Sequence, residues 1–194
     1  MTPPVFVVVE GLDGTGKSTV ASLLARTLGA RHLSTPAREL RGARAAFDER
    51  YAGNGLASQL FYAAAVVDAS RRARSSLAHG RSIVVDRYWA STCAYDVTRP
   101  GAVDLSLIEQ ALQPADVTLF LTVDREERRR RLAARGTTDA DRVSLVNGRR
   151  IADAYRRALK SPVCGRVVRV DTTHLTPGAV CETALEAVGL VVHR

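Results

Sequence analysis

The chain predicts an α/β fold: a parallel β-sheet of about five strands with helices on both faces. Three observations carry this. Short apolar runs rich in β-branched residues recur along the 194 residues, at Val5–Val9, Ser82–Asp86, Asp116–Val123 and Arg166–Thr172. Each is too short for a helix and reads as a strand buried on both faces. Longer stretches with apolar residues at helical spacing lie between them, the alternation that builds parallel sheets through crossover connections. Third, polar breaks follow the strands directly, at Gly11–Ser18, Ser34–Pro36, Asp86–Arg87 and Asp124. In such sheets ligands sit beyond the carboxyl ends of the strands.

The elements follow in order. Val5–Val9 runs into a glycine-rich break, after which Val20, Leu23, Leu24 and Leu28 recur at helical spacing and Gly29 supplies a stop. Ala30–Thr35 reads as a second short strand ending at Pro36, and 37–53 as loop with some helix. Gly55–Gly80 is a long helix, apolar first and basic later. Val103–Leu112 is a short helix before the strand at 116–123. A charged helix over 124–135 leads into the polar stretch "GTTDAD" at 136–141. A helix from about Leu145 to Leu159, the strand at 166–172 and a closing helix from Pro177 to about Val188 complete the chain. Without a repeat, linker or low-complexity block, 1–194 is expected to form one domain.

Composition excludes several classes. Apolar (46%) and charged (25%) fractions are those of a globular protein, and no run approaches a membrane span. The N-terminal strand enters the glycine-rich break without signal-like flanks. Cys93, Cys164 and Cys181 are odd in number and lack metal-site spacing, so reduced thiols and a cytoplasmic location are expected. The net charge of +8 is spread over helices with no aromatic platform for bases, so no nucleic-acid partner is expected. Of the 28 basic residues only Lys17 and Lys160 are lysine.

That scarcity makes the position of Lys17 informative. Gly11-Leu12-Asp13-Gly14-Thr15-Gly16-Lys17-Ser18 fits G-x-x-x-x-G-K-[ST] between a predicted strand and a predicted helix. Glycines let the backbone turn its N–H groups inward, and the new helix adds its positive end. Lys17 is placed to reach the β and γ phosphates of ATP, and the Ser18 hydroxyl to ligate Mg²⁺.

Asp86, directly after a buried strand, is either a helix N-cap or a group that holds Mg²⁺ or orients a substrate; Arg87 then faces solvent or a transferring phosphate. Beside a phosphate loop the functional alternative is favoured. The segment of about 136–148, flanked by Arg135, Arg142, Arg149 and Arg150, is either an exposed loop or a lid closing over ATP. Tyr62 and Phe61 could be core, or could stack on a base. His32, His79, His174 and His193 form no spaced cluster and receive no role.

Taken in order, "VVVEGLDGTGKST", "LFYAAA", "VVDRYWASTCAYD" and "LFLTVDREERRRRLAARG" resemble the thymidylate kinase family, with "DRYWASTCAYD" nearest its UMP/CMP kinase-like branch. The resemblance covers most of the chain. It implies a P-loop kinase fold that transfers the ATP γ-phosphate, with Mg²⁺, to a pyrimidine nucleoside 5′-monophosphate. It implies nucleotide contacts from Gly11, Asp13, Gly14, Thr15, Gly16, Lys17, Ser18 and Thr19. Catalytic roles fall to Lys17, Asp13, Asp86 and Arg87, and metal contacts to Ser18 and Asp86. In the lid, Arg135 is a candidate nucleotide contact and Arg142 a candidate catalytic residue, and the sequence leaves open which lid arginine acts. Acceptor contacts fall to Asp13, Arg44, Arg87 and Tyr95, with Tyr62 stacking on the base. A homodimer through the helix of about 55–70 is also implied. Two positions depart from the family pattern. Ser34-Thr35-Pro36-Ala37 stands where Arg-Glu-Pro-Gly is usual, and Val66 where an arginine reads the base. The acceptor is therefore left open among dTMP, UMP, CMP, dUMP and a modified pyrimidine nucleotide. A nucleoside or other alcohol acceptor, with Glu10 as base, and a phosphate-loop switch protein remain as alternatives.

Overall fold

The computed structural model describes residues 3–192, and His193 lies outside them. Five strands form one parallel sheet: β1 (Phe6–Gly11), β2 (Arg31–Ser34), β3 (Ile83–Asp86), β4 (Val117–Thr122) and β5 (Arg166–Asp171), in spatial order β2-β3-β1-β4-β5. The helices are α1 (Lys17–Thr27), α2 (Arg41–Arg50), α3 (Gly55–Ala78), α4 (Trp89–Asp96), α5 (Ser106–Gln110), α6 (Arg125–Ala134), α7 (Asp139–Val146), α8 (Gly148–Ala158) and α9 (Pro177–Val192).

Every residue of β1 is buried, because alternate side chains feed two different layers. Val5, Val7 and Val9 pack with Val20 and Leu24 of α1 and with Ala184 of α9. Phe6 and Val8 pack with Ala63, Val66 and Ala69 of α3, and with Trp89 of α4. A third cluster joins Ala90 and Ala94 of α4 to Ile151, Ala154 and Tyr155 of α8. The β1 neighbours, β3 and β4, lie on opposite sides of it, so the crossovers diverge at its carboxyl end. A crevice opens at such a point.

The stretch at 37–53, expected as loop with some helix, carries its helix as α2, whose Arg44, Phe47 and Asp48 line the crevice. One expectation changes. Of the polar segment at 136–141 only 136–138 is open chain, and the helix expected from Leu145 begins earlier and breaks. Thr138 and Asp141 form a reciprocal cap that starts α7 at Asp139, and the chain breaks at Asn147 before α8. The physical reason is that a side chain at each end of T-x-x-D satisfies an otherwise orphaned backbone N–H.

Candidate active site

The break after β1 is a loop whose carbonyls are tied down by side chains of the loop itself and of the elements around it. Tyr155 Oη donates to Gly11 O (3.0 Å), Thr15 Oγ1 and Lys17 Nζ to Leu12 O (2.9 and 2.6 Å), Arg128 Nε to Asp13 O (2.7 Å), and Thr172 Oγ1 to Thr15 O (3.1 Å). With the carbonyls held outward, the loop is free to present N–H groups to an anion. Gly11 (φ 144°) is obligatory here, since a Cβ would lie 2.4 Å from Leu121 O. Gly16 (φ 91°) takes the left-handed turn into α1.

Lys17 is buried; desolvation first, and then the Arg87 charge, push its ammonium down to about 8. The hydroxyl of Ser18, on the first turn of α1, donates to Asp86 Oδ2 at 2.5 Å. Asp86 Oδ1 is buried without a partner among the described residues, as is Thr35 Oγ1 on the neighbouring strand end. Asp86 is therefore not a helix cap: α4 begins at Trp89 with no side-chain cap bond.

Arg87 has a positive φ (69°), the only such residue other than glycine among those described. That conformation turns its side chain back over β1, where its guanidinium pairs with Asp13 Oδ1 and donates to Gly11 O (3.4 Å) and Ser91 Oγ (3.2 Å). Tyr95 Oη donates to Asp13 Oδ2 (2.6 Å), and its ring lies 5.3 Å from the Arg87 guanidinium. Burial raises the Asp13 carboxyl, but Arg87 and Lys17 outweigh it and hold the group well below the usual carboxylate range.

From this pair a cavity of about 660 Å³ runs under α2. Asp13, Arg44, Tyr62, Arg87 and Tyr95 all line it, so the structure brings these five sequence-selected residues together. Phe61 lies behind, stacked on Phe47 at 4.8 Å. Three expected residues are placed otherwise. Val66 is a correction: it is fully buried in the core beneath β1 and β3 and does not line the cavity, because α3 turns Gln59, Ala63, Val66 and Ser70 inward together. Arg142 is exposed and paired with Asp139 (2.5 Å) rather than lining the cavity. Arg135 is pinned to Asp141 at 2.6 Å, joining α6 to α7.

Two arginines were missed. Arg128 is buried, with its Nε on the loop and its NH2 donating to Ser144 Oγ of α7, and so ties the loop to the lid segment. Arg99 lies in the turn after α4, lines the cavity and stands 4.6 Å from the Tyr62 ring centroid. The only sequence signal for Arg128 was its spacing, four residues before apolar Leu132 on one helix. Arg99 carried none.

Comparison with known proteins then decides the family, since residues 9–177 match the family model described as thymidylate kinase. The chain belongs to the thymidylate kinase family. It is 32% identical over 206 residues to a thymidylate kinase of Chromohalobacter salexigens, covering 97% of this chain and 92% of the relative. It is 33% identical to that of Rhizorhabdus wittichii, covering 80% and 83%. Among solved structures, a thymidylate kinase from Candida albicans described as having broad substrate specificity superposes with a TM-score of 0.77 at 24% identity, covering 97% of this chain and 92% of that one. One from Ehrlichia chaffeensis gives 0.68 at 22% identity, covering 96% and 98%. At those identities the structures speak to the fold. Family membership makes the chain a nucleoside monophosphate kinase. Among the described residues no helix is long and apolar enough to cross a membrane.

Proposed function

We propose that the chain transfers the γ-phosphoryl group of ATP, with Mg²⁺, to a pyrimidine nucleoside 5′-monophosphate: dTMP, or a UMP, CMP, dUMP or modified analogue. The observation that carries this is the Asp13–Arg87 pair, which joins the phosphate loop to the cavity. A phosphoryl group held on the loop and an acceptor held in the cavity meet at that guanidinium. An oxygen of the acceptor monophosphate bonds to Pγ as the bridging bond breaks, and ADP leaves with the electron pair. The acceptor oxygen is already anionic, so no general base is needed. Glu10 fits this, being fully buried and absent from the cavity lining, which disfavours an alcohol acceptor.

The oxygens of Ser18 and Asp86, one of them buried and unpaired among the described residues, fit a hard divalent cation. When bound, Mg²⁺ supplies charge neutralisation along the donor phosphates. Lys17 and the loop N–H groups hold those phosphates, Arg87 stabilises charge on the transferring group, and Tyr95 keeps Asp13 in place against Arg87. Tyr62 offers an aromatic face to the base, and Arg44, 5.7 Å from that ring, a cation to the acceptor phosphate. The α7 segment, held by Arg128 and Arg135, serves as the lid over the donor, and 1–194 as one catalytic domain in the cytoplasm.

The test is ATP-to-ADP turnover against nucleosides and nucleoside monophosphates, with purines and a no-acceptor blank as controls. Stimulation by one or two pyrimidine monophosphates is expected. Turnover with nucleosides alone, or in the blank alone, would overturn the assignment. A homodimer through α3 is proposed with it, because Leu56, Leu60 and Val67 form an exposed apolar stripe there. Sedimentation at the mass of a single 20.9 kDa chain at micromolar concentration would rule the dimer out.

A further inference from the structure

Four side-chain polar atoms among the described residues are buried without a hydrogen-bond partner: His32 Nε2, Thr35 Oγ1, Ser76 Oγ and Asp86 Oδ1. Three of them come from β2, β3 and the residue that follows β2, and only Ser76 lies elsewhere, on α3. Buried polar atoms are nearly always paired, so each orphan calls for a reason. Thr35 lines the cavity, and Asp86 belongs to the cation site proposed above. His32, to which the sequence attached no role, has no such reason yet.

The strand register shows where His32 points. In the parallel β2–β3 pair His32 lies opposite Val84, and Ser34 opposite Asp86. Ladder partners share a face, and faces alternate along a strand. Leu33 and Val85 pack on the α3 side of the sheet, and Val84 on the α1 side. His32 and Asp86 therefore share the α1 face, one diagonal step apart and within reach of each other's side chains. Burial lowers the His32 pKa, and Asp86 is the acid that opposes this, with Arg38 and Arg26 the cations nearby. The Ser18 hydroxyl of α1 already donates to the other carboxylate oxygen, Asp86 Oδ2.

We infer that His32 is a positioning residue for the cation site, its Nε2–H holding Asp86 Oδ1 through one bridging water. This rests on the assignment of Mg²⁺ to Ser18 and Asp86. No direct bond joins the two atoms, and each is buried with bonding capacity to spare, the setting in which a single water links polar groups. A carboxylate oxygen has two lone pairs, so Oδ1 can accept on this side and still serve a cation. Serine then fixes one oxygen from the helix and histidine the other from the strand, and the carboxylate cannot swing away. Partners of this outer kind change metal affinity about 10- to 100-fold.

The test compares wild type with H32L and H32Q. It reads Mn²⁺ binding to the enzyme–ADP complex from the free-ion electron paramagnetic resonance signal. ADP binding in chelator, by calorimetry, and the melting temperature without metal are read alongside. In H32L the Mn²⁺ Kd is expected to rise about 10-fold or more, with ADP binding in chelator within about threefold of wild type. The melting temperature should hold, because no protein atom loses a partner. H32Q carries an amide nitrogen near the Nε2 position and should restore most of the Mn²⁺ affinity. An H32L Kd for Mn²⁺ within about threefold of wild type would overturn the inference. So would an equal loss of ADP binding in chelator, or an H32Q no better than H32L. If H32L does not fold, H32N, whose amide stops short of that position, replaces it under the same criteria. Wild-type enzyme with ADP that takes up no more Mn²⁺ than ADP alone would refute the cation site itself, a result visible without any substitution.

Discussion

Replacing Arg87 with alanine is expected to lower kcat by about 10³-fold or more while leaving a folded protein. The argument begins with the backbone. Arg87 is held at φ 69°, a conformation that costs a non-glycine residue on the order of 1 kcal/mol and persists only where surrounding structure enforces it. Its N–H is tied to Val9 O at 3.0 Å, which fixes the turn just after β3. The turn directs the guanidinium to the one place where it meets both the phosphate loop, through Gly11 O, and the cavity, through Asp13. Burial disfavours the cation, but Asp13 more than compensates and holds the group charged. In phosphoryl transfer the enzyme contributes mainly position and charge, so loss of this guanidinium falls on the transition state and on kcat. Alanine also removes the main counter-charge of Asp13, whose carboxyl should rise towards its ordinary value. R87K separates charge from geometry: it keeps a cation but not two donors in one plane, and should recover no more than a small part of the rate. Single-turnover kinetics at saturating ATP and acceptor, with thermal melting alongside, would check this. An R87A rate within about tenfold of wild type would mean that Arg87 acts on the fold alone.

The residues legible in sequence share one property, that their chemistry is set by immediate neighbours. The phosphate loop works through backbone turned by glycines at fixed spacing, so Gly11, Gly16, Lys17 and Ser18 can be read in line. Asp86 and Arg87 are equally local, since Asp86 ends a buried strand and Arg87 follows it without a gap. The alternating strands and helices, and with them the sheet, follow from apolar periodicity. Arg99 has no such signature. Its place depends on Asp96 meeting Gln59, 37 residues earlier, and on the turn after α4 folding back across α3. Arg128 is hidden for another reason: it stands in "REERRRR", where only the phase of α6 against the loop decides which arginine is buried. Val66 shows the converse failure. Position by position it matches a base-reading site, yet α3 is apolar on more than one face, and only packing against β1 and β3 reveals which one points inward. In the lid, Thr138 and Asp141 offered a readable cap that a polar composition concealed.

Glu10 carries the largest expected effect on stability, and it also discriminates between two chemistries. It ends the β1 run just before the loop and is fully buried. Its Oε1 accepts from the N–H groups of Tyr88 (2.9 Å) and Ser91 (3.0 Å), the first turn of α4, and its Oε2 from the hydroxyl of Ser91, with Tyr155 Oη 3.4 Å away. One carboxyl thus satisfies the start of α4, which carries Ser91 and Tyr95, and docks α8 through Tyr155. Desolvation raises its pKa above 4.5 despite those bonds. Glu10→Ala strands buried donors and opens a void, at a cost of about 3–5 kcal/mol, and a chain of this length should lose about 10 °C in Tm. Glu10→Gln retains the oxygen facing the two N–H groups, and the hydroxyls of Ser91 and Tyr155 can turn to accept from the new amide, so its cost should be nearer 1–2 kcal/mol. The sign of the pH dependence follows. A carboxyl with a raised folded pKa contributes most below its unfolded value of 4.5 and loses that contribution as pH rises through the folded pKa. Glutamine does not titrate, so the Tm gap between wild type and E10Q should narrow as pH is raised from 4.5. Catalysis separates the alternatives more sharply. If Glu10 only positions α4 and Tyr155, E10Q should keep kcat within about tenfold of wild type. If it took a proton from an acceptor hydroxyl, the amide could not replace it and kcat would fall by about 10² or more with little change in Tm. That second pattern would return the chain to the alcohol-kinase alternative, because a monophosphate oxygen has no proton to give up at neutral pH.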